Sequence, residues 1–179
     1  VYGVTKSVSA STYCTNREGG NRAAETSGDA FVNPMQPIGW LSVVDVYSTM
    51  TTGSVVVIGD SIADGVGATI DGYDRWTDML VTRMSRAATS KPLANVAIPG
   101  GTCVNANGWG PTVLDRLDRD VFSQSGVSHV ILEIGINDLA KDTTSAELIN
   151  CLQIAISQTH ARGLKILIGT IIPLDRSRN

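Results

Sequence analysis

Four short, uninterrupted apolar runs constrain what this chain can fold into more than any other feature. They are Ser54–Ile58 (SVVVI), Leu93–Ile98 (LANVAI), His129–Ile134 (HVILEI) and Leu164–Ile168 (LKILI). A run without polar alternation suits a strand buried on both faces, as in a parallel sheet covered by helices. The segments between them carry helical spacing instead. Asp74–Ala88 aligns Trp76, Met79, Leu80, Met84 and Ala87, and Thr112–Phe122 aligns Leu114, Leu117 and Val121. Ser145–Ala161 aligns Leu148, Leu152, Ile156 and Thr159, with Thr144 and Ser145 as candidate caps and Gly163 as a stop. Strand and helix in alternation predict an α/β fold with a doubly wound parallel sheet, whose ligands sit at the carboxyl ends of the strands.

Residues 1–50 have a different texture, rich in Ser, Thr, Gly and Asn, and only Trp40–Tyr47 (WLSVVDVY) reads as a strand. The expected organisation is a loop- and β-rich segment over residues 1–50, the end of a preceding β domain, followed by a core over 51–179. Val1 opens directly onto Tyr2-Gly3-Val4 without a basic or apolar leader, as in a mature protein or a piece of a longer one. No stretch reaches the roughly 18 apolar residues of a membrane span. Fourteen Lys and Arg against 17 Asp and Glu, a net charge of -3, give no electrostatic reason to expect nucleic acid. Three cysteines without CxxC spacing argue against a zinc knuckle. They leave open three buried thiols, or one disulfide and one thiol, for which Cys103–Cys151 is the pair offered.

The strand ends carry the chemistry. The first is followed by Gly59-Asp60-Ser61-Ile62, the second by Pro99-Gly100-Gly101-Thr102 and the third by Gly135-Ile136-Asn137-Asp138. Together they offer a hydroxyl, a bare backbone N–H and a side-chain amide to one volume, the components of a nucleophile with an oxyanion hole.

Those three ordered blocks, with Asn95 opening the second, resemble the GDSL (SGNH) hydrolase superfamily. The resemblance implies a flavodoxin-like three-layer α/β/α sandwich and hydrolysis of carboxylic esters through an acyl-enzyme, with no metal or organic cofactor. It implies that Ser61 is the nucleophile and lends its own N–H to the oxyanion hole. Gly100 supplies a second N–H, with Gly101 the lesser candidate, and Asn137 a third donor. Trp40–Val46, Asp74-Arg75-Trp76, Leu114–Asp120 and His160–Lys165 are similar to a secreted bacterial and fungal branch in which a β-rich domain precedes the core. The expected partner is a small-molecule or carbohydrate ester. The resemblance spans about residues 38–174. It departs from the family in one block: the Asp and His that complete the triad, with a fifth strand and a final helix, have no counterpart before Asn179. The expectation is a cut or incomplete protein, whose complementary C-terminal fragment supplies the base.

The remaining polar residues read as structural. Asp60 adjoins Ser61 but points elsewhere, and Asp64 and Asp138 organise loops. His129, at the amino end of its strand, and His160, late in a helix, do not replace the missing base. Ser61 as an ordinary helix cap, Asn137 as a turn former and the glycines as plain turns are the structural alternatives. Two functional alternatives accompany the esterase: an inert binding module on the same fold, and a phosphate-binding flavodoxin-like protein, which would place more Ser, Thr or Gly donors in the first loop.

Overall fold

A computed structural model describes residues 11–16, 18–22, 24–35, 44–49, 53–87 and 90–173. Its centre is a four-stranded parallel sheet. In chain order the strands are β1 (Thr12–Cys14), β2 (Asn33–Met35), β3 (Ser54–Gly59), β4 (Leu93–Asn95), β5 (Val127–Glu133) and β6 (Lys165–Ile168). The helices are α1 (Ser61–Asp64), α2 (Trp76–Arg86), α3 (Val113–Arg116, running into a π-helical turn over Leu117–Phe122), α4 (Ile136–Leu139) and α5 (Ser145–His160). The sheet order is β4-β3-β5-β6, with β1 and β2 paired separately as a small antiparallel ribbon.

The continuous run in β3 is apolar because both of its faces are covered. Val56 and Ile58 join Val130, Leu132 and Ile134 on one face, against Val113, Leu117 and Val121 and against Leu148, Cys151 and Ala155 of α5. Val57 points the other way, into a smaller cluster with Ala63, Ala97 and Trp76. These are the expected three layers. The chain leaves β3 toward β4 on one side and returns to β5 on the other, so the topological switch lies beside the carboxyl end of β3.

Several sequence expectations need correction. Pairing along β4 persists beyond Asn95, through Val96 N–H to Val57 O (2.8 Å) and Ile98 N–H to Gly59 O (3.0 Å). The third strand begins at Val127, so His129 is its third residue, opposite Val55 and Lys165. In α2 the buried residue is Thr77 while Met79 is 48% exposed, a stripe rotated by about one position. Thr112–Phe122 is not one regular helix. Arg116 is buried, donating to Val96 O (2.9 Å) and Asp120 (3.1 Å), and the chain widens to π-helical spacing directly after it. Of the strand expected at Trp40–Tyr47, residues 40–43 lie outside the described residues. Val44–Tyr47 form no strand: Val44, Val46 and Tyr47 are exposed, so no buried face selects an extended register. No helix among the described residues is long and apolar enough to cross a membrane.

Cys103 and Cys151 form a disulfide, with Cα atoms 6.1 Å apart, and Cys14 is a free, half-buried thiol. The bridge fastens the loop after β4 to α5 across a sequence separation of 48. Chain entropy alone assigns such a loop about 4 kcal/mol, and measured bridges commonly give 2–4. Thermal or denaturant unfolding with and without a thiol reductant should therefore differ by about that amount. Equal stability in both conditions would show that the loop is held by its other contacts.

Candidate active site

The three strand ends interlock through their backbones. Asp60 N–H donates to Glu133 O (3.3 Å), joining the turn after β3 to the end of β5. Gly101 packs on the same turn: a Cβ there would lie 2.9 Å from Ile98 O and 3.2 Å from Gly59 O. Asn137 Nδ2 donates to Gly101 O (2.9 Å), and the Asp138 carboxylate accepts the N–H groups of Cys103 (3.0 Å) and Val104 (2.9 Å). Asp138 is buried, so it organises the loop after β4, as expected of it. Asn95 adds a further tie, Nδ2 to Ala63 O (2.9 Å).

Within this frame the donors are unequally spent. Asp60, not Ser61, caps α1: its Oδ1 accepts the N–H of Ile62 at 2.9 Å. Ser61, half-buried, has no side-chain hydrogen bond among the described residues, and its N–H is equally unpaired there. Gly101 donates its N–H to Ile98 O (2.9 Å), whereas the Gly100 N–H has no acceptor among the described residues. Gly100 sits at φ +76, a conformation that glycine adopts without strain, and a Cβ there would strike the Trp109 indole. Gly135, at φ +123, turns the chain from β5 into α4, where a side chain would collide with Ile171 and Leu148. An amide carries two N–H bonds, so Asn137 keeps one beyond its bond to Gly101.

Three carboxyls near these turns are pushed upward. Burial raises Asp60, helped by the nearby Asp138 charge and opposed by the Ile62 N–H. Burial raises Glu133, with the Asp60 charge adding to it. Asp64 moves furthest, from 3.8 to about 6, through burial that the Arg75 charge only partly offsets. Its Oδ2 has no hydrogen-bond partner among the described residues. Because the folded pKa lies above the unfolded one, the folded state holds this proton more tightly. The associated stability is full below about pH 4 and is lost as the pH rises through about 6. Asp64→Asn should remove that part of the slope, so denaturant unfolding from pH 4 to 7 should fall less steeply than in the parent. Parallel slopes would assign the dependence to Asp60 or Glu133.

Beside Asp60 opens a small cleft lined by Asp60, Ile62, Glu133, Ile134, Ile136, Thr170, Ile171 and Ile172, with Ser61, Gly100 and Asn137 outside its lining. Glu133 carries no motif signal in the sequence, whereas the Thr170–Ile172 turn follows the fourth apolar run, where the strand-end rule points. Neither histidine approaches the cleft's end of the sheet. His129 lies four residues before the end of β5, about 13 Å back along the strand, near Lys91 and Lys165, and its pKa is lowered by burial and by those two charges. His160 is exposed at the last turn of α5.

Residues 57–179 match the family described as GDSL-like Lipase/Acylhydrolase. Among solved structures, the chain is similar to AlinE4, an SGNH-hydrolase family esterase (24% identity, TM-score 0.58, covering 70% of this chain and 63% of that one). It is also similar to the lipase/acylhydrolase from Enterococcus faecalis (22%, TM-score 0.54, 70% and 60%) and to the acetyl xylan esterase AlAXEase (23%, TM-score 0.50, 64% and 56%). The chain thus spans less than two thirds of the length of these neighbours, and at such identities they show the fold. No curated protein sequence matches it.

Proposed function

We propose that this chain, which belongs to the GDSL-like lipase/acylhydrolase family, is the nucleophile-bearing part of a serine carboxylic ester hydrolase. One observation carries the reading: three interlocked strand ends leave the Ser61 hydroxyl, the Ser61 and Gly100 N–H groups and one Asn137 N–H unspent among the described residues. Donors left free beside a free, part-exposed hydroxyl are what an acyl-transfer site requires. Ser61 Oγ attacks the ester carbonyl, and its proton passes to a histidine. The Ser61 N–H, Gly100 N–H and Asn137 amide hold the negative oxygen. Collapse expels the alcohol, protonated by that histidine, and water then releases the acid from Ser61.

The histidine and its orienting aspartate come from residues beyond these 179, because His129 and His160 both lie away from Ser61's end of the sheet or out in solvent. A complementary C-terminal portion of the protein is the proposed source. The substrate is a short acyl ester of a sugar. Support comes from the nearly neutral charge balance and the presence of an acetyl xylan esterase among the structural neighbours. The disulfide suits an oxidising compartment, and we place the protein outside the cell on that ground.

The inert binding module is the second reading, favoured by the absence of a histidine near Ser61 among the described residues. A fluorophosphonate probe applied to the full-length protein separates the two. Labelling of the peptide that contains Ser61, together with hydrolysis of a short-chain ester, is the expected result. A full-length protein that binds acetylated sugar but neither turns over nor labels would be the binding module.

A further inference from the structure

Trp109 has no task in the hydrolysis described above, yet it rests directly on one of the proposed oxyanion donors. A Cβ placed on Gly100 would lie 2.5 Å from indole Cγ and 2.9 Å from Cδ2, so the ring covers the Gly100 Cα. Asn107 holds this arrangement from both sides. Its Nδ2 donates to Gly100 O (2.8 Å) and its Oδ1 accepts the Trp109 N–H (2.8 Å), while Asn107 and Gly110 bridge across the turn. Despite that fixation, Trp109 is 52% exposed. A large aromatic fixed against a proposed oxyanion donor and left half in water offers a flat apolar face to whatever alcohol group enters the site.

The chemistry of the surroundings narrows what that is. Residues 98–112 contain no charged side chain, so no ion pair to a phosphate or a carboxylate forms there. Residues 105–108 of the same loop carry no large apolar side chain that would extend the ring into a track for an acyl chain. A fixed, half-exposed aromatic face in an uncharged loop matches a pyranose ring, whose C–H bonds present partial positive charge to the negative ring face.

We propose that Trp109 is the stacking platform of a subsite for a neutral pyranose, the alcohol side of the scissile ester. The inference rests on the hydrolase reading and adds a residue and a subsite to it. The test uses the full-length protein and two acetate esters, acetylated methyl β-xylopyranoside and ring-free ethyl acetate, each followed by acid release. Trp109→Ala should lower the ratio of kcat/KM for the sugar ester to that for ethyl acetate about tenfold, through KM, and Trp109→Phe should recover most of it. An unchanged ratio overturns the proposal, including the case in which both rates fall together because the ring only braces Gly100. If the parent hydrolyses neither ester, the hydrolase reading has failed, and fluorescence titration with methyl β-xylopyranoside still decides the subsite. Quenching in the parent that Trp109→Ala abolishes supports it, and no quenching in the parent refutes it.

Discussion

Replacing Ser61 by alanine should lower kcat of the full-length protein on a short-chain ester by about 10⁴–10⁶-fold while leaving the fold intact. The magnitude follows from removing the nucleophile of a unit whose parts act together, where the residual rate comes from binding and the oxyanion hole alone. The persistence of the fold follows from the structure. Asp60 caps α1, and the Ser61 hydroxyl has no hydrogen bond among the described residues, so its loss strands no partner. Unfolding free energies of parent and variant should agree within about 0.5 kcal/mol. Were Ser61 an ordinary structural serine, activity would survive and the assignment would fall. Were its hydroxyl a hidden structural contact, activity and stability would fall together.

The α/β frame was readable because the sheet is buried on both sides. Val55–Ile58 have to be apolar at every position when helices cover both faces, and that leaves a continuous run no amphipathic strand would show. Where one face meets water the pattern weakens and the facing of a stripe shifts, as at Met79 in α2. The π-helical turn after Arg116 was not readable at all. It follows directly on a buried guanidinium that reaches Val96 O across the layers, a tertiary contact that periodicity does not encode.

The candidate site divides in the same way. Residue types at strand ends could be listed from sequence, but not which donors stay unspent. Gly100 and Gly101 are identical letters. Only the turn distinguishes them, by committing the Gly101 N–H to Ile98 O and setting Gly100 at φ +76. Asp60 and Ser61 likewise exchange the capping task only once the chain is folded. Trp109, a tryptophan in a Gly- and Asn-rich loop, carries no periodic signal. Its meaning comes from lying on Gly100.

Asn137→Ala should lower kcat by about 10²–10³-fold with a much smaller change in KM. The oxygen of the scissile carbonyl becomes fully anionic only in the transition state, so a donor aimed at it acts there and little in the ground state. Asn137 also tethers two strand ends, giving one N–H to Gly101 O, and that second task sets the control. If the tether dominated, alanine would loosen the loop after β4, lower thermal stability and raise KM as Gly100 drifted. The Asp138 carboxylate holds the same loop independently at Cys103 and Val104, and the disulfide fastens it to α5. With those restraints in place, the tether's loss should cost about 1 kcal/mol of stability, the net worth of one hydrogen bond. A loss confined to kcat, at nearly parental stability, is therefore the expected pattern. A variant that only raises KM would make Asn137 a substrate contact and leave Ser61 and Gly100 as the oxyanion donors.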